Sequence, residues 1–155
     1  CNWIMGEVHR AVFSFKFPQK RKKYVTIVSQ DVASNFKPIF KDGKPAIELK
    51  VKTKGRIVNI TDKADIKLDS DIINKLKEKF KEVIRKDIKM AVRKAQSLKS
   101  DVFGFGNSFY RLQYNKWLKM KDNWDEIFAS LPLIINISVQ IIKSILFNKG
   151  ITTHK

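Results

Sequence analysis

The stretch Asp69-Ser70-Asp71-Ile72-Ile73-Asn74-Lys75-Leu76-Lys77-Glu78-Lys79-Phe80-Lys81-Glu82-Val83-Ile84-Arg85-Lys86-Asp87-Ile88-Lys89-Met90-Ala91-Val92-Arg93-Lys94-Ala95-Gln96-Ser97-Leu98 decides the fold class. Its apolar residues Ile72, Ile73, Leu76, Phe80, Val83, Ile84, Ile88, Ala91, Val92, Ala95 and Leu98 recur at three- and four-residue steps. Lys75, Lys79, Glu82, Lys86, Lys89 and Arg93 fill the opposite side. This predicts one long amphipathic helix. Asp69 and Ser70 are candidate N-caps, Asp71 lies near the positive end of the helix dipole, and Arg93, Lys94 and Lys99 crowd the negative end. A coiled coil fits less well, because the apolar stripe is wider than a heptad seam and no second segment of this kind exists.

Working outward, the period changes to two. Upstream, Phe13, Phe15 and Phe17 share a face with Ala11, which reads as a half-buried strand. Val25, Thr26, Ile27 and Val28 open a second strand over 24–32, with a short extended run to Phe36 before Pro38. Pro18 and the cluster Lys20-Arg21-Lys22-Lys23 supply a turn between these two strands. Asp42-Gly43 is a further turn. Beyond it Ile47, Leu49, Val51 and Thr53 alternate with Glu48, Lys50, Lys52 and Lys54, so one face is wet. Residues 45–61 read as one long bent strand or as two paired ones, the single strand being favoured, with a bend or bulge allowed at Gly55.

Downstream of the long helix, Ser100-Asp101 can cap a second helix running to about Tyr114, with Val102, Phe105, Phe109 and Leu112 at helical spacing. Gly104 and Gly106 stand inside that helix, where each costs roughly 1 kcal/mol and so implies a close approach by another group. Trp117, Trp124 and Phe128 follow; large aromatics beside a helix-to-strand junction are first of all core plugs. Residues 124–128 form a short helical turn before Pro132, and Leu133, Ile135, Ile137, Val139 and Ile141 then alternate with Asn136, Ser138 and Gln140 in a last strand. The expected fold is α+β: a mostly antiparallel sheet of about four or five strands, order β-β-β-α-α-β, with the long helix and a shorter helical region on one face.

The chain has 155 residues and reads as a single domain over 1–155. With 43% hydrophobic and 11% aromatic residues it carries too much apolar surface for a disordered tail. The region 131–147 is interrupted by Asn136, Ser138, Gln140, Lys143 and Ser144, short of the roughly 20 apolar residues a bilayer crossing requires. The formal charge of +17 reads first as a solvating lysine coat, because only Arg10, Arg21, Arg56, Arg85, Arg93 and Arg111 are arginines. An anionic partner is the second reading. The Lys20-Arg21-Lys22-Lys23 cluster fits both a solvated hairpin tip and a loop near anionic lipid, the former with fewer assumptions.

Catalytic constellations are hard to assemble from these residues. Cys1, His9 and His154 do not have the spacing of a zinc site. Gly104-Phe105-Gly106 has a superficial likeness to a phosphate-binding loop, but the third glycine and a following Lys-Ser or Lys-Thr pair are missing. Asp62 with Asp65, or Asp69 with Asp71, do not follow the order of a calcium loop, and helix capping accounts for the second pair. The reading is non-enzymatic, with no cofactor and no metal.

The run Ser100-Asp101-Val102-Phe103-Gly104-Phe105-Gly106, then Tyr110-Arg111, Trp117-Leu118-Lys119 and Asn123-Trp124-Asp125-Glu126-Ile127-Phe128, resembles the C subunit of nutrient germinant receptors from endospore-forming bacteria. Trp3, the turn Asp42-Gly43-Lys44, the helix end Lys94-Ala95-Gln96 and the last strand leading to Gly150 extend the likeness over most of the chain. It departs at Tyr114-Asn115-Lys116, where the family usually has a proline, and at Ile145-Leu146-Phe147, where the family has basic residues. The resemblance implies the C-terminal domain of a longer lipoprotein, acting in receptor assembly or signalling during germination. It implies integral-membrane A and B subunits as partners, a lipid anchor outside this fragment, and a place on the outer face of the spore inner membrane. Cys1 runs straight into Asn2-Trp3-Ile4 and reads as an accident of truncation rather than the anchor. Asp101, Phe103, Gly104, Phe105, Gly106, Trp117, Trp124 and Phe128 are the expected family-signature residues, holding a scaffold. The alternatives are a basic nucleic-acid-binding module, motivated by the charge, and a small solute binder.

Overall fold

A computed structural model describes residues 2–7, 10–16, 24–60 and 69–143. Cys1, His9, Phe17, Pro18, the Lys20-Arg21-Lys22-Lys23 cluster, Asp62, Asp65, Gly150 and His154 lie outside the described residues. The elements are α1 (Asn2–Met5), β1 (Val12–Lys16), β2 (Tyr24–Lys41), β3 (Lys44–Ile60), α2 (Ser70–Ser97), α3 (Phe105–Leu112), α4 (Tyr114–Met120), a 3-10 turn (Lys121–Asn123), α5 (Trp124–Ala129) and β4 (Leu133–Lys143). This is the α+β fold expected, with the sheet in the order β1-β2-β3-β4.

The long helix forms as the periodicity requires. Asp69 Oδ1 accepts from the Ile72 N–H at 3.0 Å, closing the N-terminus. At the other end Lys99 takes the left-handed conformation (φ 49), and the N–H groups of Ser100 and Lys99 reach back to the carbonyls of Ala95 and Gln96, both at 3.0 Å. That is a Schellman closure with lysine where glycine is usual. Leu76, Phe80, Ile84, Ile88, Val92 and Ala95 are buried along one face, against a sheet whose Val25, Ile27, Ile47, Leu49, Val51 and Ile57 are at most 1% exposed. The even-numbered residues Lys50, Lys52, Lys54 and Arg56 of β3 are all exposed on the other face.

β1 pairs antiparallel with β2, and β2 with β3 through the Asp42-Gly43 turn, where φ is 52 and 74 at the two positions. β4 runs parallel to β3, from Ile47↔Leu133 to Ile57↔Lys143. All the helical residues α2 to α5 lie between these two strands, as a parallel connection demands.

Several local expectations are corrected. β2 does not stop before Pro38 but runs on to Lys41. The Ile47 N–H donates to the Pro132 carbonyl on the β4 side, so the Pro38↔Ile47 pair makes no ladder bond and the proline nitrogen faces away from β3. Gly55 is not a bulge; it pairs in register with Ser29 and Ile141. A Cβ there would stand 2.8 Å from Ile27 Cγ2 and 3.3 Å from Phe80 Cε1, so the glycine lets helix and sheet meet. The register shifts lie elsewhere, between Thr26 and Ile27 and between Gln30 and Ala33, where Asp31 has φ 52.

The second helix is shorter than expected and starts later. α3 ends at Leu112, Gln113 (φ −138, ψ 46) interrupts it, and α4 begins at Tyr114. Gly104 precedes α3 in the left-handed conformation (φ 79) and Gly106 lies in its first turn, so neither pays the cost of a helix interior. Val102 and Leu112, at apolar spacing with Phe105 and Phe109, are 66% and 61% exposed, because the chain turns at Gly104 and breaks at Gln113.

Candidate functional site

The residues singled out between Asp101 and Phe128 come together at the C-terminal end of α2. The Asp101 carboxylate organises them. Its Oδ1 accepts from the backbone N–H groups of Gly104 (3.1 Å) and Phe105 (3.0 Å), and its Oδ2 from the N–H of Gly106 (2.7 Å) and from Trp124 Nε1 (3.1 Å). The backbone donors at the start of α3 are thereby satisfied from outside the helix by a charged acceptor, the strong class of hydrogen bond. The N–H groups that a phosphate loop would aim at an anion are occupied by this chain's own carboxylate.

The indole bond explains the glycines. Trp124 is held by Asp101 and lies against the first turn of α3, so a Cβ on Gly106 would be 2.8 Å from Trp124 Nε1, 2.9 Å from its Cε2 and 3.1 Å from Trp117 Cη2. At Gly104 a Cβ would meet nothing within 4 Å; the positive φ alone selects glycine there. Trp117 and Trp124 pack edge to face with ring centroids 5.3 Å apart, and Trp124 also contacts Phe109 (5.6 Å) and Phe128 (6.3 Å). Both indoles are half-buried against the core, and Trp124 also lines a shallow open depression with Lys121, Asp122, Asp125 and Glu126.

From this block aromatic contacts run to the sheet. Phe105 meets Phe36 at 5.0 Å, Phe103 at 5.3 Å and Phe128 at 6.2 Å, while Phe109 meets Phe40 at 5.6 Å. Phe36 and Phe40 belong to the distal half of β2, and this packing keeps that half in the sheet beyond Pro38. Lys116 Nζ lies 4.0 Å from the Phe40 ring centre.

Two contacts had no sequence expectation. Gln96 Nε2 donates to the carbonyls of Phe128 (3.1 Å) and Leu131 (2.9 Å), tying the last turn of α2 to the end of α5 and the approach to β4. Lys99 pairs with Glu126, and the hydrogen bond and charge of that carboxylate hold the exposed ammonium above the ordinary lysine value. The only advance signal for the indole bond is general: a packed tryptophan N–H needs an acceptor, but Asp122, Asp125 and Glu126 are all nearer to Trp124 in sequence than Asp101, so nothing local picks Asp101 out. Among the described residues no group of three or more His, Cys, Asp or Glu is placed to hold a metal ion.

The comparisons with known proteins agree with this architecture. Residues 1–144 match the family described as "Spore germination B3/ GerAC like, C-terminal", and the chain belongs to that family of spore-germination domains. It is 28% identical over 144 residues to spore germination protein B3 of Bacillus subtilis (strain 168), covering 91% of this chain and 37% of that protein. It is 26% identical over 150 residues to spore germination protein KC of the same organism, covering 96% of this chain and 36% of that one. Among solved structures it resembles the crystal structure of the GerBC protein, with a TM-score of 0.75 and 25% identity over 91% of this chain and 43% of that chain. The chain thus spans about a third of the length of these curated relatives.

Proposed function

We propose that this chain is a non-enzymatic C-terminal domain of a longer lipoprotein subunit of a nutrient germinant receptor. It serves receptor assembly or signalling rather than chemistry, beside integral-membrane A and B subunits on the outer face of the spore inner membrane. The observation that carries the reading is the Asp101 carboxylate, whose four N–H donors all come from the fold itself. A carboxylate so engaged braces α3 against α5, and Asp101, Phe103, Gly104, Phe105, Gly106, Trp117, Trp124 and Phe128 are read here as one structural brace. Family membership supports the germination role. The printed names of the relatives support it too, each being a spore germination protein. Among the described residues no helix is long and apolar enough to cross a membrane, which fits a domain held at a membrane by other parts of a complex.

Deletion of this domain from the chromosomal gene tests the reading. Nutrient-triggered germination, followed as the fall in spore optical density, should be lost or severely slowed. Normal germination with unchanged receptor levels overturns it.

A further inference from the structure

The sheet buries one face under α2 and leaves the other open, and the central strand writes a line of positive charge across that open face. Lys50, Lys52, Lys54 and Arg56 alternate with buried Leu49, Val51, Thr53, Gly55 and Ile57 and are all exposed. At roughly 7 Å per two residues they form a straight row about 20 Å long. The register sets Asn35, Ala33 and Gln30 of β2 on one flank of Lys50, Lys52 and Lys54 and Asn136, Ser138 and Gln140 of β4 on the other, so these three lysines stand among amides and small side chains, while Arg56 stands between the aliphatic Val28 and Ile142. Compensation is sparse. Lys50 meets Glu48 at 3.5 Å, a carboxylate shared with Lys37 at 3.8 Å, and Lys54 meets Asp31 at 3.6 Å; Lys52 and Arg56 have no acidic partner among the described residues.

We infer that this open sheet face is an electrostatic docking surface for an anionic phospholipid bilayer. The choice of a membrane rests on the receptor reading above, and three features favour it over other anions. The cations lie in a row on a sheet, matching an extended charged plane rather than a single ion. Three of the four are lysines, which act as point charges toward many headgroups, whereas bidentate capture of a carboxylate or phosphate favours arginine. No aromatic ring stands among their cross-strand neighbours, so the stacking platform used for single-stranded nucleic acid is missing from this row.

Flotation of the chain with phosphatidylcholine vesicles, with and without phosphatidylglycerol, tests the inference at low and physiological salt. Binding should require phosphatidylglycerol and weaken steeply with salt. A Lys52→Glu, Arg56→Glu double variant should lower partitioning at least about tenfold. Lys86→Glu with Lys89→Glu, exposed on α2 across the molecule, removes the same net charge and should leave most binding intact. Lys52→Gln with Arg56→Gln gives a milder pair should the reversal unfold the sheet, and thermal melts report folding of each. Equal binding to both vesicle types, no binding at low salt, or equal loss in the β3 and α2 pairs overturns the inference; the last result would mean attraction by net charge alone. Absence of vesicle binding leaves the receptor reading to the deletion assay, and normal germination after deletion leaves the vesicle result intact.

Discussion

Asp101 stands in four hydrogen bonds with a single side chain, so its removal is felt at four donors at once. Asp101→Asn keeps the shape but replaces one acceptor oxygen by a donor facing N–H groups, and should cost about 2–4 kcal/mol. Chemical denaturation checks this, with indole fluorescence following Trp124 separately. At Gly106, in the first turn of α3, alanine gains little helix propensity, while its Cβ overlaps an indole that Asp101 holds in place. Overpacking of this kind costs about 1–3 kcal/mol, so Gly106→Ala should be destabilising and Gly106→Leu severely so. Gly104→Ala should cost only about 1 kcal/mol, through its φ rather than through contact. An unchanged melting temperature for Gly106→Leu would remove the close packing claimed there. Lys99 adds a pH dependence of defined sign. Its folded value is raised by Glu126, so the pair contributes at neutral pH and loses its contribution as pH rises through the folded value. Both groups are exposed, so wild type and Glu126→Gln should differ slightly at neutral pH and low salt and converge in strongly alkaline buffer.

Elements differ in how much of their form is written in their own residues. α2 was readable because its period repeats over 28 residues and its cap, Asp69, stands beside it. β3 and β4 were readable because strict alternation marks one face as wet. The break at Gln113, the four-residue α1 and the reach of β2 past Pro38 were not. Short helices span too few turns to show a period. The tolerance of Pro38 depends on which way its nitrogen faces, a property of pairing with β3 rather than of the residue. The clustering of Phe103, Phe105, Trp117, Trp124 and Phe128 followed from their size and apolarity; the reason for glycine at 106 did not, because it lies in an indole 18 positions further on. Gly55 is the same kind of case in the sheet, with Ile27, Ile141 and Phe80 converging on its missing Cβ. Phe80 fills the space that Gly55 opens. Phe80→Ala should therefore cost about 3–5 kcal/mol, and Gly55→Ala about 1–3 kcal/mol by overpacking, because Ile141 Cδ1 can shift but Ile27 Cγ2, on the β-carbon of a buried residue, cannot. Denaturant midpoints of the two variants test that order.

At the scale of the whole molecule, one sheet face carries the core and the other carries charge, and only the first could be assigned a role from sequence. Alternation identified β3 as half wet, but the flanking amides of β2 and β4 depend on a register that no local pattern fixes. The same register has a consequence for synthesis. β4 leaves the ribosome after every element it joins, and until it arrives the inner edge of β3, with Ile47, Leu49, Val51 and Ile57, lacks its neighbour. A nascent chain paused before Leu133 presents a ready template for another chain's strand, so slow translation or premature termination between α5 and β4 should yield aggregates rather than a soluble shorter form.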